Sequence, residues 1–106
     1  MQEFYLEKSD NPKKKYMVSF INPKSGRMKT IHFGAKGMSQ YTIHKDDERK
    51  QRYIDRHQKN EDWTDLSKAG TWARFILWGE PSLKKSIKEM EKKFKIKIHI
   101  IYEYQN

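Results

Sequence analysis

Between Leu83 and Tyr104 the apolar period of the sequence changes once, and that change constrains the fold more than any other feature. Leu83, Ile87, Met90 and Phe94 recur at steps of four, three and four, the core stripe of a helix for which Ser82 is a candidate cap. The next segment, "KIKIHIIYEY", alternates instead. Ile96, Ile98, Ile100, Tyr102 and Tyr104 share one face, with Lys95, Lys97, His99 and Glu103 mostly on the other. Helix and sheet must therefore be packed together.

"KYMVSFI" and "RMKTIHF" are rich in β-branched and aromatic residues and flank "NPKSG", whose Pro23 and Gly26 are turn formers, so a β-hairpin is predicted. "EFYL" adds an edge strand, joined to the hairpin by the turn-like, basic "SDNPKKK". The glycines of "GAKGMSQYT" suit a loop into a charged helix from about His44 to Gln58. In "LSKAGTWARFILW", Leu66, Ala69, Trp72, Ala73 and Ile76 keep helical spacing, while Phe75, Leu77 and Trp78 make the pattern apolar nearly all round. Such a helix is central, or it lies in an interface. This order predicts an α+β fold: a small antiparallel or mixed sheet, from an N-terminal hairpin plus a C-terminal strand, with three helices packed on one side.

A chain of 106 residues suits a single domain, 1–106, able to bury roughly 65% of its unfolded surface. It has 23 Lys and Arg against 14 Asp and Glu, a formal charge of +9 that favours a polyanionic partner. The absence of cysteine excludes disulfides, thiolate zinc sites and thiol catalysis. The first residues lack the apolar core of a secretory signal, and no run approaches the roughly eighteen apolar residues of a membrane span. The expectation is a soluble, intracellular protein with no membrane partner.

The charged helix, "KDDERKQRYIDRHQK", carries the main functional candidates. Wound at about 100° per residue, Lys45, Arg49, Arg52, Arg56 and Lys59 line one stripe free of acids, a candidate phosphate-binding surface. The same stretch has a purely structural reading, because Glu48 with Arg52 and Asp55 with Lys59 are favourable i,i+4 pairs. Lys84, Lys88, Lys92 and Lys95 form a second cationic ridge on the last helix, and Lys13 to Lys15 add to the basic surface. Gly34 to Gly37 are either turn glycines at positive φ or a small anion cradle with Lys36.

Catalysis is not expected. His44, Asp46, Asp47, Glu48, Asp55 and His57 supply suitable residue types, yet no His pair falls at a zinc-helix spacing, so neither metal nor other cofactor is predicted. His44 reads as a cap or staple residue and His57 as a partner of Tyr53 and Ile54. Trp63, Trp72 and Trp78 serve either core packing or base stacking, and Arg74 is expected to project from its helix toward solvent or a carboxylate. The surplus of apolar surface on "TWARFILW" predicts a homodimer through Trp72, Phe75 and Trp78, unless "NEDWTDL" and "EFYL" fold over that helix within the monomer.

"HFGAKGMSQYTIHKDDERKQRYIDRHQKNEDW" followed by "AGTWARFILWGEPSLKKSI" resembles a family of small basic proteins of large double-stranded DNA viruses of amoebae, of the Marseillevirus and Mimivirus kind. Related sequences often read Tyr-Ser-Asp-Tyr where this one has Met38-Ser39-Gln40-Tyr41. The resemblance implies a viral setting: the virion, or the host cytoplasm at the viral factory, or the host nucleus. It favours a non-enzymatic nucleic-acid-binding protein, contacting DNA without sequence preference, that helps package the genome or acts early in infection. The alternative is a module that binds virion or host proteins, its charge serving solubility or assembly.

Overall fold

Strand alternation turns Phe4 and Leu6, Val18 and Phe20, Ile31 and Phe33, and Ile98 toward one buried face. They belong to β1 (Glu3–Lys8), β2 (Lys14–Ile21), β3 (Met28–Ala35) and β4 (Lys97–Ile100). The computed structural model describes residues 1–38 and 40–101, so Tyr102 and Tyr104 of the expected last strand lie outside the described residues. The fold is α+β: a four-stranded mixed sheet in the order β3-β2-β1-β4. β2 and β3 form the predicted hairpin, and Gly26 closes its turn at φ +72°.

β1 is not an edge strand. It pairs antiparallel with β2 on one side and parallel with β4 on the other, with Phe4 opposite Ile98. Phe4 and Leu6 are fully buried, so flanking strands serve them better than an open edge. The opposite face of the sheet carries Tyr5 stacked on His99 at 4.9 Å, and Ser19 hydrogen-bonded to Thr30 at 2.9 Å. Glu3, Tyr5 and Thr30 on this face are exposed.

The helices cover the buried face. α1 (Tyr41–His44) is a single turn, and α2 (Asp47–His57) is the charged helix. α3 (Ala69–Trp72) continues as a π-helical turn (Ala73–Leu77), and α4 (Leu83–Phe94) closes the layer. The predicted start at Leu66 fails because Asp62 and Asp65 take the backbone into local turns. Thr64 N donates to Asp62 Oδ1 at 3.0 Å and Ser67 N to Asp65 Oδ1 at 2.8 Å. The wider turn is closed by Trp78 N donating to Ala73 O at 3.2 Å, an i→i+5 bond. It lets the neighbouring side chains Ile76 and Leu77 both reach the core, which explains an apolar pattern too broad for one α-helical face. On α4, Ser82 caps Lys85 N at 3.1 Å as expected, and Lys95 at φ 55° turns the chain directly into β4.

Candidate nucleic-acid interface

The long charged helix of the sequence is broken at Lys45. That residue adopts a left-handed conformation (φ 55°) after α1, and Asp46 restarts the chain as the cap of α2, accepting from Glu48 N at 3.0 Å and Arg49 N at 3.3 Å. Helical phase therefore does not carry Lys45 onto the stripe, and Lys59 lies in the turn beyond α2. Arg49, Arg52 and Arg56 remain, all exposed on α2 at i, i+3 and i+7.

The expected acid partners of these cations are weak. Glu48 stands 4.0 Å from Arg52 with both side chains mostly in water, a pair of little energetic consequence. Asp55 accepts from Gln51 Nε2 at 2.9 Å instead of pairing with Lys59. Arg49 and Arg56 form no ion pair among the described residues.

α2 meets the rest of the molecule through long aromatic side chains. Tyr53, its one buried residue, stacks on Trp78 at 4.4 Å and nearly parallel, while the His57 ring lies 4.4 Å away. Burial, reinforced by the Glu61 carboxylate, pushes the Tyr53 hydroxyl up to about 12. Trp63 extends the stack at 6.4 Å from Tyr53, and His44 lies 5.2 Å from Trp78. Beneath this layer is a cleft of about 350 Å³ between α2, the α3–π segment and the ends of β2 and β3. Lys14, Lys15 and Arg56 all line it, so one end of the arginine row meets the first basic cluster. Lys15 is partly committed: its ammonium donates to Met38 O and Gln40 Oε1, and burial lowers its pKa.

Lys84 and Lys88 of the second ridge are not turned toward α2. Helical phase puts Lys84 and Lys88 on the flank of α4 that also carries Glu91, which bridges to Lys97 of β4 at 3.8 Å. The flank turned toward α2 carries Ser86, Glu89 and Lys93, which line a second cleft with Lys50. Lys36 is exposed after β3, its backbone N–H on Lys13 O at 3.0 Å. Both neighbouring glycines have positive φ, +79° at Gly34 and +85° at Gly37, as the turn reading requires.

Two cations take places that sequence reasoning missed or mistook. Lys50 donates to Gly79 O at 2.6 Å and lies 4.7 Å from the Tyr41 ring centre. Burial, with Arg74 nearby, lowers its pKa. Arg74 reaches neither solvent nor a carboxylate as its main partner: it donates to Trp78 O at 2.9 Å and lies over Trp63 and Phe75. Both therefore hold carbonyls at the C-terminal end of the π-helical segment, where positive charge is favoured.

The candidate catalytic groups are dispersed. Asp46 N donates to His44 Nδ1 at 3.0 Å, Asp47 accepts from the Tyr41 hydroxyl, and His57 pairs with Glu61 at 2.8 Å. Among the described residues no three His, Asp or Glu side chains are grouped to hold a metal ion, and no helix is long and apolar enough to cross a membrane.

Trp72, predicted at a dimer interface, is fully buried within the chain. The Phe4 ring lies 5.1 Å away and Trp72 Nε1 donates to Leu66 O at 2.9 Å, so "EFYL" and "NEDWTDL" cover the helix after all. Phe75 and Trp78 are half-buried, Phe75 against Phe94 at 5.5 Å. A second copy of the chain is not required to cover this segment.

Fold and site together define a small α+β protein with an arginine row on a helix propped over a cleft. The chain belongs to a family of unknown function, DUF5754, whose profile matches residues 5–57. That span runs from within β1 to the last residue of α2 and so includes the whole arginine row. No curated protein and no solved structure matches the chain.

Proposed function

We propose that this protein binds nucleic acid, in particular DNA without sequence preference, by laying the phosphate backbone along α2. The observation that carries the proposal is the exposed row Arg49, Arg52 and Arg56, two of them without an ion-pair partner among the described residues. A guanidinium fork suits phosphate oxygens, and such contacts carry no base information, so binding is tolerant of sequence. Lys45 and Lys59, exposed just beyond the two ends of α2 though off its arginine stripe, add flanking phosphate contacts.

The resemblance to proteins of amoebal DNA viruses gives the proposal its setting: a virion component, or a protein of the viral factory in host cytoplasm or of the host nucleus, that neutralises genome charge. A gel-shift titration with Arg49, Arg52 and Arg56 all changed to Glu tests it. The variant is expected to keep the fold and lose the shift; an unchanged shift would end the proposal.

A protein-contact role has its own observation in favour. Ile21 and Met28 are 50% and 67% exposed and pair with each other at one end of the open sheet face. Under that reading Ile21→Asp with Met28→Asp abolishes capture of virion or host proteins and leaves DNA binding untouched.

A further inference from the structure

The cleft beneath α2 is open because small residues from three elements meet there. Gly34 of β3, Ala69 and Gly70 of α3, and Ala73 of the π-helical turn line a volume of about 350 Å³, within the range of small-ligand sites. Phe33 and Leu77 give it an apolar floor, and the Tyr53–Trp78 stack forms an aromatic side. Lys14 and Arg56 also line it, and neither forms an ion pair among the described residues. An apolar floor, an aromatic side and free cations complement a flat base joined to a phosphate.

We infer that this cleft takes one unpaired nucleotide of a single-stranded nucleic acid, with the base against Phe33 and Leu77 and the phosphate between Lys14 and Arg56. The inference rests on the phosphate track proposed for α2, because Arg56 belongs to both and the strand continues from the cleft toward Arg52 and Arg49. Glu61 stands in the wall, paired with His57 at 2.8 Å, and its carboxylate occupies the place a Cβ on Gly70 would take, 1.8 Å from Oε1. It supplies an acceptor for an imino N–H on the Watson–Crick edge of the base, which duplex DNA cannot offer without unpairing.

Fluorescence anisotropy with a labelled ten-nucleotide single strand and a blunt duplex of matching sequence tests the assignment. The wild-type protein is expected to prefer the single strand by about tenfold, a difference of about 1.4 kcal/mol. Ala69→Phe, which fills the cleft from an exposed position, removes the preference and leaves duplex binding unchanged. Lys14→Gln, at a strand end, lowers single-strand affinity more than duplex affinity without adding bulk, and circular dichroism confirms that each variant is folded. Arg49→Glu with Arg52→Glu weakens both complexes.

Equal affinity for the two DNAs, or a preference that survives both cleft variants, overturns the cleft and leaves the phosphate track standing. A nucleoside monophosphate that binds as tightly as the oligonucleotide overturns it too, since the site would then serve a free nucleotide. Failure to bind any nucleic acid removes the track itself.

Discussion

Gly34 is subject to two constraints at once. Its φ of +79° disfavours any other residue, and a Cβ there would lie 2.7 Å from Leu77 Cδ1 and 3.3 Å from Lys15 Cβ. Gly37 has the same kind of backbone, at +85°, with open space around it. Gly34→Ala is therefore expected to cost about 2–3 kcal/mol and Gly37→Ala about 1 kcal/mol in urea unfolding. Equal losses would contradict the close approach to Leu77. Tyr53 carries a pH signature. Its hydroxyl is held up to about 12, against about 10 in an unfolded chain. A raised value favours the neutral form in the fold, so this stabilisation is complete below pH 10 and is lost as pH rises through 12. The difference is worth about 3 kcal/mol, and unfolding at successive pH values should lose stability less steeply between pH 10 and 12 in Tyr53→Phe. An unchanged profile would mean that Tyr53 ionises freely. The sequence displays Lys50 and Arg74 only as charges among others, because their partners, Gly79 O and Trp78 O, are backbone carbonyls that no side-chain pattern reveals.

The elements that were legible are those whose period is simple. α4 runs from its Ser82 cap through the predicted stripe to Phe94, and the β2–β3 hairpin turns at the expected Gly26. The charged helix ends where expected, at His57 with Gln58 as its cap, but was misjudged at its start because the break depends on backbone geometry: Lys45 turns left-handed, and the Asp46 side chain captures the first N–H groups of α2. Asp46→Ala is expected to lower stability by about 1 kcal/mol. The same change should weaken DNA binding, since fraying at the first turn loosens Arg49. Thermal unfolding alongside the gel shift checks both; a destabilised variant with full affinity would separate the arginine row from the integrity of its helix. The π-helical turn left a trace in the sequence, an apolar pattern too wide for α-helical phase. The trace pointed equally to an interface, and only the contacts of Trp72 with Phe4 and Leu66 decide for the core.

At the scale of the whole molecule, the class of fold followed from the order of periods, while the place of β1 did not. Sequence alternation is the same for an edge and an inner strand, and the parallel pairing of Phe4 with Ile98 joins residues from opposite ends of the chain. That return across the fold also encloses Trp72, so light scattering at micromolar concentration is expected to give the mass of one chain. A doubled mass abolished by Phe75→Asp and Trp78→Asp would reinstate the helix as a dimer contact. The shared surface expected of two cationic ridges was beyond the sequence as well, because it depends on which flanks of α2 and α4 face each other. The arginine row carries the electrostatics proposed for DNA binding. The most direct test is the affinity for a short DNA measured across a range of salt concentrations. Each phosphate contact contributes a slope of about −0.9 in log K against log salt on duplex DNA. The slope is expected to lie between about −3 and −5, from the three arginines alone or with Lys45 and Lys59, and to fall toward zero when Arg49, Arg52 and Arg56 become Glu. A slope near zero in the wild-type protein, or one left intact by the triple change, would contradict it.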